Sequence, residues 1–272
     1  PLRALTAGWR GALAALEVLY PHFALVFSYL RGMCALAERS DGVFRGEHML
    51  LAGPHGTGKS SLAEQLAPVL GGTYQRVNMS SAQSSALLGG AESYWATSDT
   101  GIVFKALVDG HYANPVLLLD ELDKSSGQHG YDPVGPLYQL LEPTQARHWT
   151  DASMPGIPLD TSHVVWIATC NEPRLISAPL LQRFVEFHVP EPTSDQCRAI
   201  VSSVDAALKM NDARLCGLDL DDSVIDVLAG LAPRDVRKRL HYAYGQVAYR
   251  GGSRVLAIDL PHDLSLTRRI GF

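Results

Sequence analysis

The chain has 272 residues, with 23 Lys and Arg against 28 Asp and Glu for a formal net charge of −5. That length accommodates one large domain and a smaller companion, and the acidic balance makes nucleic acid an unlikely partner and gives no reason to expect an anionic membrane. The four cysteines, Cys34, Cys170, Cys197 and Cys216, are scattered without a C-x-x-C pair, which argues against a disulfide framework or zinc site and fits reduced thiols in a cytoplasmic protein.

Residues 9–39 read as helices interrupted at Pro21. Their most apolar stretch, "FALVFSYL" (Phe23 to Leu30), is followed by Arg31 and falls far short of the roughly 20 residues that a membrane span requires, so no membrane association is expected. A polar, glycine-containing turn leads into "EHMLLAG" (Glu47 to Gly53), an apolar run of buried-strand type.

The next segment, "GPHGTGKSSL", fulfils the pattern G-x-x-x-x-G-K-[ST] at Gly53, Gly58, Lys59 and Ser60. In such a loop the glycines let consecutive N–H groups face phosphate oxygens, the lysine reaches the outer phosphates and the hydroxyl meets Mg²⁺. The expected contact set is Gly53, Pro54, His55, Gly56, Thr57, Gly58, Lys59, Ser60 and Ser61. Behind it, Leu62, Leu66 and Val69 recur at helical spacing. Strand, glycine loop and helix together aim a helix N-terminus at phosphate.

Four more strand-like runs follow, beginning at Thr73, Pro115, His163 and Val185, each separated from the next by helical or looped sequence. This alternation predicts an α/β fold with a five-stranded parallel sheet covered on both faces and a nucleotide at its carboxyl edge. "VLLLDELDK" places Asp120 and Glu121 where one strand ends. There a first carboxylate can hold Mg²⁺ and a second can polarise water for attack on a phosphoryl group, although a solvated strand end or a helix cap would read the same in isolation. After Gln196 the sequence turns to helix periodicity without strand pattern, except for a short β-like run in the closing segment "GGSRVLAIDLPHDLSLTRRIGF", which ends basic. The expected division is 1–46 as an N-terminal helical segment, 47–190 as a large α/β domain and 191–272 as a small helical domain.

Four stretches, "GPHGTGKS", "LLLDELDK", "WIATCNEPRLISAPLLQRF" and "RDVRKRL", resemble the Walker A, Walker B, sensor 1 with arginine finger, and sensor 2 motifs of AAA+ ATPases. The run "YQLLEP…WTD…PLDTSHVVWIATCN" is most similar to the ATPase module of Lon proteases. The resemblance implies a P-loop NTPase with a small helical lid. It gives Lys59 and Ser60 to phosphate and Mg²⁺, Asp120 to the metal, Glu121 to water activation and Asn171 to sensor 1. Arg183 becomes a finger that completes a neighbouring subunit's site, despite Gln182 standing where an acidic residue is usual. Arg237 becomes sensor 2, with Arg234 as the competing choice, although four basic residues on one helix also describe a wet face.

The same resemblance implies Tyr94 and Trp95 as pore-loop aromatics that grip a polypeptide, with 125–133 as a second pore loop. It therefore implies ATP and Mg²⁺ as ligands, a homo-oligomeric ring, most simply a hexamer, and a polypeptide client. A Lon protease carries its Ser/Lys dyad in a further domain, so this stretch is expected to hydrolyse ATP and not peptides. A nucleotide-gated scaffold, the ATPase part of a truncated Lon-type protease and a nucleic-acid-acting AAA+ protein are the competing readings.

Overall fold

The computed structural model describes residues 1–91, 99–125 and 132–261. Five parallel strands, β1 (Met49–Ala52), β2 (Tyr74–Asn78), β3 (Val116–Asp120), β4 (Val165–Cys170) and β5 (Val185–His188), form one sheet in the order β2-β3-β4-β1-β5. Every residue of β1, β3 and β4 is buried, which is why these strands read as unbroken apolar runs. The edge strands β2 and β5 each bury one residue and leave most of the rest exposed.

Helix α1 spans Trp9–Leu19, α2 Ala24–Glu38, α3 Lys59–Leu70 and α4 Ile102–Val108. A 3-10 turn at Pro21–Phe23 separates α1 from α2. The break falls where proline has no N–H to donate and crowds the preceding turn. No single helix among the described residues is long and apolar enough to cross a membrane; the α1–α2 pair meets the test of length and composition only jointly, and it is bent by 117°. Much of the apolar surface of α2 is covered by protein, with Val26, Phe27, Leu30 and Cys34 buried.

The chain divides into two compact units: Pro1–Leu13, Leu25–Gly53 and Lys59–Val189 make the first, and Ala14–Ala24, Pro54–Gly58 and the residues from Pro190 onward make the second. The core of the first contains Leu50, Ala52, Leu117, Leu119, Trp166 and Ala168, alternate residues that share one face of the sheet. In the second unit, α5 (Ser194–Asn211), α6 (Asp222–Leu228) and α7 (Pro233–Tyr249) bury Val201, Val204, Leu208, Val224, Leu240 and Val247. Helix α5 opens on a capping box: Gln196 N donates to Thr193 Oγ1 at 3.3 Å, and Thr193 N donates to Gln196 Oε1 at 2.9 Å.

One feature of the second unit departs from the helical expectation. Asp219–Leu220 pairs in parallel with Arg254–Val255. Arg254–Val255 lies in the closing segment that carries the short β-like run; its partner Asp219–Leu220 is only two residues long and shows no period that a sequence pattern can register.

Candidate active site

Register places the site. Asn78 is opposite Asp120, Leu119 is opposite Ala168, and Leu51 is opposite Thr169, so the carboxyl ends of β2, β3, β4 and β1 arrive side by side. In open parallel sheets this is the edge at which ligands bind.

Beyond β1 the chain turns at Gly53, whose N–H donates to Cys170 O at 3.2 Å. A Cβ on Gly53 would lie 2.1 Å from the carbonyl oxygen of Val189, so no side chain fits there. In the second unit the turn continues through Gly56 (φ 81°) and Gly58 (φ 90°), conformations that glycine adopts without a Cβ clash. Thr57 Oγ1 donates to Pro54 O at 3.1 Å and closes the turn on itself.

In the first unit, α3 begins at Lys59, which is 7% exposed. Its ammonium donates to Gly53 O at 2.7 Å and to Asn171 Oδ1 at 3.3 Å. Burial holds the Lys59 pKa below the ordinary lysine value, against the fields of Asp120, Asp123 and Glu121. A buried ammonium at the end of a glycine turn is suited to accept an anion.

Ser60 Oγ and Thr169 Oγ1 both donate to Asp120 Oδ1 at 2.6 Å, and Arg76 forms an ion pair with Asp120 Oδ2. Burial alone would raise the Asp120 pKa; the two hydroxyls and the Arg76 guanidinium outweigh it and hold the carboxyl below its ordinary value. A serine hydroxyl and an ionised carboxylate brought within hydrogen-bond distance are oxygen donors of the kind Mg²⁺ takes.

Glu121 has φ 57° and ψ 49°, the one positive φ at a non-glycine position among the described residues. Such a conformation costs about 1–3 kcal/mol and persists where the surroundings impose it. Here Glu121 N donates to Thr169 Oγ1 at 3.0 Å, and the carboxylate meets Lys124 Nζ at 2.5 Å. The Lys124 bond, aided by Ser80, holds the Glu121 carboxyl below its ordinary pKa. At the end of β4, the backbone N–H groups of Asn171 and Glu172 both donate to Asp123 Oδ2 at 3.0 Å, which fixes the turn carrying the Asn171 amide.

The structure thus brings together Lys59, Ser60, Asp120, Glu121 and Asn171. Arg183 is engaged elsewhere: Nη1 donates to Pro179 O at 2.5 Å and the guanidinium lies 5.4 Å from the centre of the Tyr138 ring. Arg234 and Arg237 are exposed on α7 in the second unit. His55 and Ser61 are exposed, while Thr57 is buried. Tyr94 and Trp95, and most of 125–133, lie outside the described residues.

Sequence reasoning missed Thr169, Arg76 and the role of Asp123, because each acts across strands and carries no motif of its own. It also missed His22. In the second unit, a small cleft is lined by Tyr20, His22, Gly56, Thr57, Cys197 and Leu231, among others. His22 Nε2 lies 2.8 Å from Thr57 O and must donate there, which leaves Nδ1 as an acceptor; Nδ1 is buried with no hydrogen-bond partner. Burial lowers the His22 pKa and so favours the neutral ring. An orphaned buried acceptor beside two loop residues fits a ligand that brings an N–H. The only sequence signal was a histidine next to Pro21, which has too many other readings.

A glycine turn after a buried strand, a buried lysine opening the following helix, and a serine–aspartate pair at neighbouring strand ends define a P-loop nucleotide-hydrolysing module. The chain belongs to the AAA family, the ATPase family associated with various cellular activities, whose model matches residues 49–191. It is an ATP-binding and ATP-hydrolysing module of that family. The chain is 34% identical over 171 residues to Lon protease 2 of Thermus thermophilus, covering 60% of this chain and 21% of that protein. It is 32% identical over 219 residues to a Lon protease of Salinispora arenicola, covering 78% of this chain and 28% of that protein. The matched stretch therefore spans about a fifth to somewhat over a quarter of the length of these relatives. Among solved structures, the Thermotoga maritima RuvB Holliday junction branch migration motor matches with a TM-score of 0.56 at 16% identity, covering 87% of this chain and 66% of that one.

That last likeness is one of fold, and it corrects one expectation. Nucleic acid was set aside as a partner because the chain is acidic overall, yet the fold is shared with a motor that acts on a DNA junction. The physical reason is that net charge sums over the whole surface, whereas a nucleic-acid track needs only a local field.

Proposed function

We propose that this chain is the ATPase module of a larger Lon-type machine, working in a ring of like subunits and applying the energy of ATP hydrolysis to a macromolecular client. The observation that carries the proposal is the cluster of Lys59, Ser60, Asp120, Glu121 and Asn171 at one sheet edge. Identity of 30–36% to Lon proteases over 138–219 residues supports the Lon-type reading.

In the proposed mechanism the backbone N–H groups of the glycine loop and the Lys59 ammonium bind the polyphosphate. Ser60 and Asp120 would hold Mg²⁺, which when bound neutralises charge on the outer phosphates. Glu121 accepts the proton of the attacking water, and Asn171 orients that water with an amide that both donates and accepts. Arg183 leaves its contacts with Pro179 and Tyr138 to serve a neighbouring subunit.

The Lon relatives favour a polypeptide client; the fold shared with a branch migration motor favours nucleic acid as the second reading. Steady-state ATPase assays with an unfolded polypeptide such as casein, and separately with duplex DNA across a salt series, tell them apart. Stimulation by casein that is insensitive to salt supports the first. Stimulation by DNA that collapses steeply with salt would replace it with the second.

A further inference from the structure

Asp120 is 3% exposed and ionised, and its two oxygens are used unequally. Oδ1 accepts from Ser60 and Thr169, both neutral hydroxyls on α3 and β4. Oδ2 is taken by a full positive charge, Arg76 of β2. The register makes this possible: Asn78 is opposite Asp120 and Arg76 is opposite Leu118, so the long arginine side chain runs forward over two residues to reach the carboxylate. The anchor of the pair is buried while the Arg76 side chain is 55% exposed. The guanidinium can therefore leave for water without being stranded, whereas Asp120 cannot.

We propose that Arg76 is a positioning residue that neutralises Asp120 from its Oδ2 in the nucleotide-free state and so excludes a bare divalent cation from the site. The inference rests on the reading of Asp120 as the carboxylate that holds Mg²⁺. A small divalent cation gives up its water reluctantly and binds through one or two carboxylates plus substrate phosphates. Facing a carboxylate already neutralised by Arg76, the hydrated cation alone gains little. Arriving with a polyphosphate, it brings further oxygen ligands of its own and a negative charge that gives Arg76 a new partner. Metal and nucleotide then enter together, and the empty site holds no trapped ion.

The test uses Mn²⁺ alone, with the nucleotide-free chain, reading free Mn²⁺ by electron paramagnetic resonance. Wild type is expected to show only weak Mn²⁺ binding. Arg76→Met is expected to gain a site with affinity higher by on the order of tenfold or more, as removal of one adjacent charge implies. Arg76→Lys should restore exclusion, and adding Asp120→Asn to Arg76→Met should abolish the gained site. Equal Mn²⁺ affinity in wild type and Arg76→Met, or a gained site that survives Asp120→Asn, overturns the proposal. If Arg76→Met does not fold, Arg76→Gln removes the charge while keeping a donor and is held to the same outcomes. Because no nucleotide is present, failure here is separate from failure to bind ATP, which wild type reports in its own titration with a fluorescent ADP.

Discussion

Glu121 combines a left-handed backbone, a tether to Thr169 and a carboxylate paired with Lys124. As general base it can be tested with the smallest change available. Glu121→Gln keeps the shape and removes the proton acceptor, so ATP should still bind while turnover falls by about 10²–10⁴-fold; unchanged turnover would assign the base elsewhere. Asp120 makes a pH prediction. Its pKa in the fold is below its unfolded value, so its stabilising contribution is complete above the unfolded pKa and disappears as pH falls through the lower folded one. The thermal midpoint should therefore drop on acidification below the ordinary Asp range, and Asp120→Asn should flatten that drop. At this scale the motif residues were legible in the sequence, because phosphate chemistry fixes both their types and their spacing. Thr169, Arg76 and Asp123 were not: each contributes one common polar group whose partner is on another strand or turn, 44 to 49 residues away.

The strands were the most legible elements. β1, β3 and β4 are buried on both faces and so appear as continuous apolar runs, and the helix after the loop declares itself by Leu62 and Leu66. A short β-like run was legible around Arg254–Val255, but its pairing with Asp219–Leu220 was hidden by the brevity of both segments. Two substitutions test how the elements are joined. Gly53→Ala places a Cβ 2.1 Å from Val189 O, where both backbones are held in the sheet edge, so destabilisation of about 1–3 kcal/mol is expected by denaturant unfolding, along with lost nucleotide affinity. Thr193→Ala removes half of the capping box of α5 and should cost about 1 kcal/mol without touching nucleotide affinity. A Gly53→Ala protein as stable as wild type would show that the turn after β1 is slack.

For the whole molecule, the fold class followed from alternating strand and helix signals, whereas partner chemistry did not follow from net charge. A fold that serves a branch migration motor and a sequence that aligns with Lon proteases meet in one chain. If Arg183 completes a neighbour's site, specific ATPase activity must rise with protein concentration, and Arg183→Ala must remove that rise while leaving nucleotide affinity in place. Activity independent of concentration would make each chain self-sufficient. The most direct test of the central claim is calorimetric titration of ATP, with Mg²⁺ present, into the wild-type chain and into Lys59→Ala. Saturable binding by wild type, lost or weakened by on the order of a hundredfold when the buried ammonium is removed, is the expected result. A folded wild-type chain that releases no heat of binding, or a Lys59→Ala chain that binds equally well, contradicts it.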